Sequence, residues 1–238
     1  MNESIHVTCL NCGHEFQTAF CPDCGQSAST RKITLKGMLE HLTFETIQAN
    51  RGFLHTFIGL TKSAGGTIAG YLAGKRMSIQ NPIGYALIGV TIMTIIDIKT
   101  GISSGAPRSS ETESFAYNLA KFVRQNAKNF WLLNILYYSI GGALFFRRYS
   151  FAEHLAANSF IIGHSAFLMS LVILVYKQPF IVNPVMYFII ITMMVLLHRR
   201  DHHLGSAIFL SFLNILFGFL MFFFVPAMFM MVVRSVRG

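Results

Sequence analysis

All four cysteines of this chain lie within its first 25 residues, as two C-x-x-C pairs. Cys9 and Cys12 form one (C-L-N-C-G-H) and Cys21 and Cys24 the other (C-P-D-C-G-Q), with eight residues between the pairs. Thiolates at this spacing close a tetrahedral site around one ion, the layout of a zinc ribbon. Gly13 and Gly25 follow the pairs and permit the tight turn that aims two sulfurs at one ion. Outside the cell the same cysteines would pair as disulfides, and in a reducing compartment they bind metal. Four sulfurs leave no open coordination position. The expectation is therefore a structural zinc held by Cys9, Cys12, Cys21 and Cys24, with His6 and His14 as solvated neighbours.

The remainder reads as membrane. The chain has 238 residues, 53% hydrophobic and only 12% charged, where a soluble domain carries about 25% charged residues. The N-terminus is polar and has none of the apolar core of a signal peptide. The expected fold is an all-α polytopic membrane protein of about five transmembrane helices behind a small N-terminal zinc ribbon. Residues 1–30 form the ribbon, in two short hairpins, and Ser27–Thr30 is a linker. Residues 31–80 form amphipathic helices over about 33–50 and 52–73. These lie along the cytosolic membrane face, with a re-entrant hairpin as the alternative for 52–73. Residues 81–238 form the membrane domain, with spans at about 82–98, 130–146, 153–176, 179–197 and 205–233.

Local signals support these boundaries. Asn81-Pro82 reads as an N-cap followed by proline at the first helical position. Ser150 and Glu153 make a capping box at the third span. The second half of the 99–129 loop, with Phe115, Leu119, Phe122 and Val123, reads as an interfacial helix. The fifth stretch exceeds what a bilayer needs and should tilt or kink, with Pro226 as the natural kink.

The formal charge of +9 belongs to the flanks of the spans. Lys32, Lys36, Lys62, Lys75 and Arg76 precede the first span, and Arg147, Arg148, Arg199 and Arg200 close the second and fourth. Lys177 alone follows the third. Positive-inside counting places the N-terminus in the cytosol, against Lys99, Arg108, Lys121, Arg124 and Lys128 in the first loop. Reduced thiols require the same side, so the expected location is the cytoplasmic (inner) membrane. Basic residues do not interleave with aromatics in a soluble module, so nucleic acid is not an expected partner. The bilayer is, and the ribbon is expected to dock a cytosolic protein or the chain's own membrane domain. Gly141-Gly142 and the Gly70/Gly74 spacing also allow close helix approach in a homo-oligomer.

Several polar residues compete between structural and functional readings. His164 stands ten residues beyond His154 in the third span, about 15 Å along a helix. It is either a neutral histidine bonded across helices or part of a polar pathway for a transporter or channel. Glu153 caps, and His154 is interfacial. The run H-R-R-D-H-H puts His198 and His202 four apart on one helical face, with Asp201 and His203 beside them. It is either a basic stop-transfer loop or one histidine box of a metal-dependent membrane enzyme. Glu153, His154, His164, His198, His202 and His203 are thus the candidates for a second polar or metal site. Asp97 is interfacial, and the Met- and Phe-rich stretch Met221–Met231 is a lipid- and helix-packing surface. No nucleophile–base pair or phosphate loop is present, which favours a non-enzymatic scaffold.

The order of motifs is familiar. The ribbon leads to Y-L-A-G-K-R (Tyr71–Arg76), N-P-I-G-Y (Asn81–Tyr85), Tyr149, E-H-L (Glu153–Leu155) and H-S-A-F (His164–Phe167). Together these resemble a bacterial membrane-protein family known as a domain of unknown function, over most of residues 9–170. The resemblance implies no activity, and implies that Glu153, His154 and His164 belong to the family's recurring pattern. Five spans behind a cytosolic N-terminus are also similar in architecture to the Yip1 group of membrane-trafficking proteins.

Overall fold

The computed structural model describes residues 7–30, 32–38, 49–102, 121–122, 127–178 and 183–237. The N-terminal head is two knuckles built alike. Strands β1 (Val7–Thr8) and β2 (Glu15–Phe16) pair antiparallel around the first, and a Phe20–Ser27 bridge closes the second. Each knuckle repeats the same two backbone bonds. Cys9 N–H donates to His14 O (2.9 Å) and Gly13 N–H to Cys9 O (2.9 Å), while Cys21 N–H donates to Gln26 O (2.9 Å) and Gly25 N–H to Cys21 O (2.8 Å). Gly13 and Gly25 take φ of 82° and 78°, the left-handed region their turns require.

Among the described residues six long helices follow: α1 (Ala49–Leu72), α2 (Pro82–Thr100), α3 (Ala127–Phe145), α4 (Phe151–Val175), α5 (Pro184–His198) and α6 (Leu204–Arg237). Their ends follow local chemistry. Asn81 Oδ1 accepts from the N–H groups of Ile83 (3.0 Å) and Gly84 (3.3 Å), with Pro82 first in α2. Ser150 and Glu153 complete the capping box of α4: Glu153 N–H donates to Ser150 Oγ (3.3 Å) and Ser150 N–H to Glu153 Oε2 (2.8 Å). Asn183 caps α5 in the same Asn-Pro manner as α2. That helix starts later than the 179 expected, and residues 179–182 lie outside those described. α6 runs through Pro226 as one helix. A break in the helical backbone falls in α1 at Ser63 (φ −155°, ψ 73°), near Gly65 and Gly66.

Among the described residues, three helices are long and apolar enough to cross a membrane: Pro82–Thr100, Phe151–Val175 and Leu204–Val232. Trp131–Phe145 and Pro184–His198 are shorter apolar helices. The interfacial helix expected near 115–128 lies almost wholly outside the described residues, as does most of 33–50.

α4 is the central helix. It is 72% buried over its most apolar window, against 28% for α2 and 22% for α6, and it packs on α1, α2, α3 and α5. Small side chains on all sides (Ala156, Ala157, Ser159, Gly163, Ala166, Ser170) let its neighbours approach closely. At the α2–α4 seam Gly163 faces Ala86, and a Cβ there would come 2.7 Å from Ala86 Cα. Gly141 abuts Asn214 and Gly218 abuts the Tyr138 ring, so α3 and α6 run antiparallel. Gly142 faces the His154 ring, so the Gly141-Gly142 pair is engaged within the chain. Leu87, Ile95, Leu136, Leu171, Phe209 and Phe212 are among the large apolar residues exposed around the outside.

Candidate metal centre and buried histidine clusters

The four cysteine sulfurs lie within 4.8 Å of one another. Cys9 Sγ is 3.5 Å from Cys24 Sγ, and Cys12 Sγ is 3.5 Å from Cys21 Sγ. Sulfurs about 2.3 Å from a tetrahedral zinc stand about 3.8 Å apart, so the four cysteines are placed to hold a metal ion. The local field is that of a thiolate site. The backbone N–H groups of Cys12 and then Asn11 aim at Cys9 and, against desolvation, hold its thiol at about 6. At Cys12 the His14 N–H pulls the same way. Desolvation and the sulfurs of Cys21, Cys9 and Cys24 outweigh it and push that thiol up to about 12. Four sulfurs this close cannot all ionise without a cation among them. His14 Nδ1 instead lies 2.9 Å from Asp23 Oδ2, outside the shell.

The ribbon is seated on the turn between α1 and α2. Gly74 N–H donates to Tyr71 O (3.0 Å) and Lys75 N–H to Gly70 O (2.9 Å), the paired bonds of a Schellman cap, with Gly74 at φ 105°. Leu10, between Cys9 and Cys12, lies on Gly74 so closely that a Cβ there would come 2.7 Å from Leu10 Cδ1. Gly25 faces the Met77 thioether, with Met77 Cε 3.5 Å from where a Cβ would stand. The buried Gln26 side chain accepts the Arg76 backbone N–H at 3.1 Å, across 50 residues of sequence.

His164 is buried at the middle of the bundle. Its Nδ1 is 2.9 Å from Tyr85 Oη of α2 and its Nε2 is 3.4 Å from Thr61 Oγ1 of α1. Phe57 and Tyr85 flank the ring at 5.1 Å and 6.4 Å, and Phe53 and Phe167 extend the aromatic shell. Both ring nitrogens are thus engaged across helices, the arrangement that lets a neutral imidazole lie inside an apolar bundle.

The other candidates gather at the α3–α4 and α5–α6 turns. His198 stacks on Phe146 with ring centroids 3.5 Å apart, and His202 meets the same ring edge-on at 5.6 Å. His154 Nε2 pairs with Phe146 O at 2.9 Å, and its ring lies 6.1 Å from that of His198. Arg148 forms an ion pair with Asp201, which is only 9% exposed, and Tyr149 Oη donates to Asp201 Oδ2 at 3.3 Å. His198, at the end of α5, and His202, in the turn beyond it, thus both meet Phe146. Among the described residues, the cysteines are the one group of three or more His, Cys, Asp or Glu placed to hold a metal. Glu153 is taken up by its cap, and His203 is exposed.

Sequence reasoning did not find the partners: Tyr85 and Thr61 for His164, Phe146 for His154, His198 and His202, Gln26 for the ribbon's seat. Tyr85 and Tyr149 stood in the quoted motifs, but nothing in a linear motif names the side chain each will meet. No protein-family model, curated protein or solved structure matches this chain.

Proposed function

We propose that this chain is a five-span protein of the cytoplasmic membrane, with a structural zinc ribbon on the cytosolic side, acting as a scaffold rather than a catalyst. The observation that carries the reading is the four-sulfur cluster of Cys9, Cys12, Cys21 and Cys24. A shell complete in sulfur gives zinc no position for substrate. α3 and α5 supply the second and fourth crossings, at about 28 Å and about 22 Å of helix. The antiparallel α3–α6 pairing supports alternating spans, and the arginine pairs after α3 and α5 favour a cytosolic N-terminus. Phe20, 62% exposed on the second knuckle, offers a cytosolic protein an apolar contact. A transporter pathway at His164 and an enzyme built on His154, His198, His202 and His203 draw less support, because the rings of His164, His154, His198 and His202 are engaged with protein partners.

Metal quantification on purified full-length protein tests this. Wild type and His202→Ala should each carry about one zinc per chain, and Cys21→Ser close to none. Iron, or a second metal lost in His202→Ala, would replace the scaffold with the enzyme.

A further inference from the structure

We infer that the ribbon's first partner is its own chain: the metal-closed knuckles clasp the Gly74–Met77 turn, so that metal occupancy governs whether the joint between α1 and α2 is held. This rests on the reading of the four cysteines as a metal site. These contacts come from both knuckles and from residues beside the ligands. Leu10 lies between Cys9 and Cys12, and Gly25 and Gln26 directly follow Cys24. Leu10 meets Gly74, Gly25 meets Met77, and Gln26 holds the Arg76 N–H.

The knuckles have little else to hold them in shape. The ribbon's buried apolar cluster is Cys9, Phe16 and Cys21, joined by the partly buried Val7, Cys24 and Ala28. Its strands are two residues each. A core and hairpin of that size do not persist alone in water. Metal binding is therefore the folding free energy of the head, and removing the metal removes the surface that Leu10 and Gln26 present.

The clasped turn leads into the bundle. The Arg76 guanidinium lies over the Tyr71 ring at 5.4 Å, and Tyr71 meets Phe160 of α4 edge-on at 5.1 Å. Farther along, Gln80 N–H donates to Thr56 Oγ1 at 2.8 Å, tying the turn back to α1 near Phe53 and Phe57. A change at the knuckles thus reaches the helix that covers His164 through a short run of bonded residues. The head becomes a metal-set fastening for α1.

Amide hydrogen exchange on the full chain in lipid nanodiscs tests the clasp, read at Arg76 and, as control, at residues 199–203. Three states are compared: zinc-loaded, chelator-stripped and zinc-restored. Stripping should speed exchange at Arg76 by about tenfold or more and leave the control turn unchanged, and zinc should restore protection. Gln26→Ala keeps every ligand and should speed Arg76 exchange by a similar factor with zinc still bound. Should that variant lose its zinc, Leu10→Ser carries the comparison in its place. If stripped wild type exchanges at Arg76 within about twofold of the loaded protein, or if the zinc-bound variant does, the clasp is wrong. A wild type that takes up no zinc at all ends the metal reading, and the clasp with it.

Discussion

Gly163→Ala should loosen the centre of the bundle, and the cost can be worked from the α2–α4 seam. An alanine Cβ at this position would stand 2.7 Å from Ala86 Cα, 3.0 Å from Ala86 N and 3.1 Å from Tyr85 Cδ1. Carbon atoms rest about 3.5–4.0 Å apart, so the helices must part by about 1 Å. Two of the obstructing atoms are main chain, and no rotamer relieves them. Overpacking of this kind costs about 1–3 kcal/mol, and a gap of about 1 Å forfeits a quarter to a half of each contact along the seam. Packing is the chief force between helices in lipid, so about 2 kcal/mol is a fair expectation. For a chain of this size that lowers Tm by about 4–8 °C. Gly205→Ala is the control for alanine's better helix propensity, since nothing lies within 4 Å of its Cβ; it should leave Tm unchanged or slightly raised. The melt can be followed in detergent by the fluorescence of Trp131, the single tryptophan, which is buried on α3. Ala86→Gly should not rescue Gly163→Ala, because the obstacle is Cα and N. A Gly163→Ala protein that melts with wild type would show that α2 and α4 do not meet there.

Three further outcomes are expected. Tyr85→Phe and His164→Leu should be non-additive in the same melting assay, with a coupling of about 0.5–1.5 kcal/mol from the 2.9 Å bond between them; strict additivity would remove that bond. Arg148→Ala should destabilise by about 1–3 kcal/mol, because the Asp201 carboxylate keeps its burial and loses its cation. The double variant with Asp201→Asn should recover part of that loss, and equal damage in both proteins would deny the pairing. Zinc retention should fall as the pH is lowered, because protons compete with the metal for the thiolates of Cys9, Cys12, Cys21 and Cys24. The sign is that of the ligand: the thiolate binds the metal and the protonated thiol does not. Dialysis of zinc-loaded protein into increasingly acid buffer reads it, and retention that does not change with pH would speak against thiolate ligation.

The parts of the fold legible in the sequence were those governed by neighbours in the chain. Two C-x-x-C-G turns, Asn81-Pro82 and Ser150 with Glu153 each complete their chemistry within four residues, and each stands where its residues require. Asn183-Pro184 carried the same cap as Asn81-Pro82, yet the fourth apolar run obscured it because the residues before it are also largely apolar. The placement of α1 was less legible. His55, Lys62 and Gly65-Gly66 lower its apolar character, but Gly65 is where the α5 main chain at Leu196 comes against α1. The seams between helices are made of glycine, alanine and serine, whose meaning depends on the partner opposite. The Arg148–Asp201 and Tyr85–His164 contacts join residues 53 and 79 positions apart, and no periodicity reports a pairing across such distances.

Zinc K-edge absorption of the full-length protein, isolated in its own membrane, tests the central claim most directly. Four sulfurs at about 2.3 Å around one zinc per chain are expected. Absent zinc, with Cys9, Cys12, Cys21 and Cys24 recovered as disulfides, would contradict it.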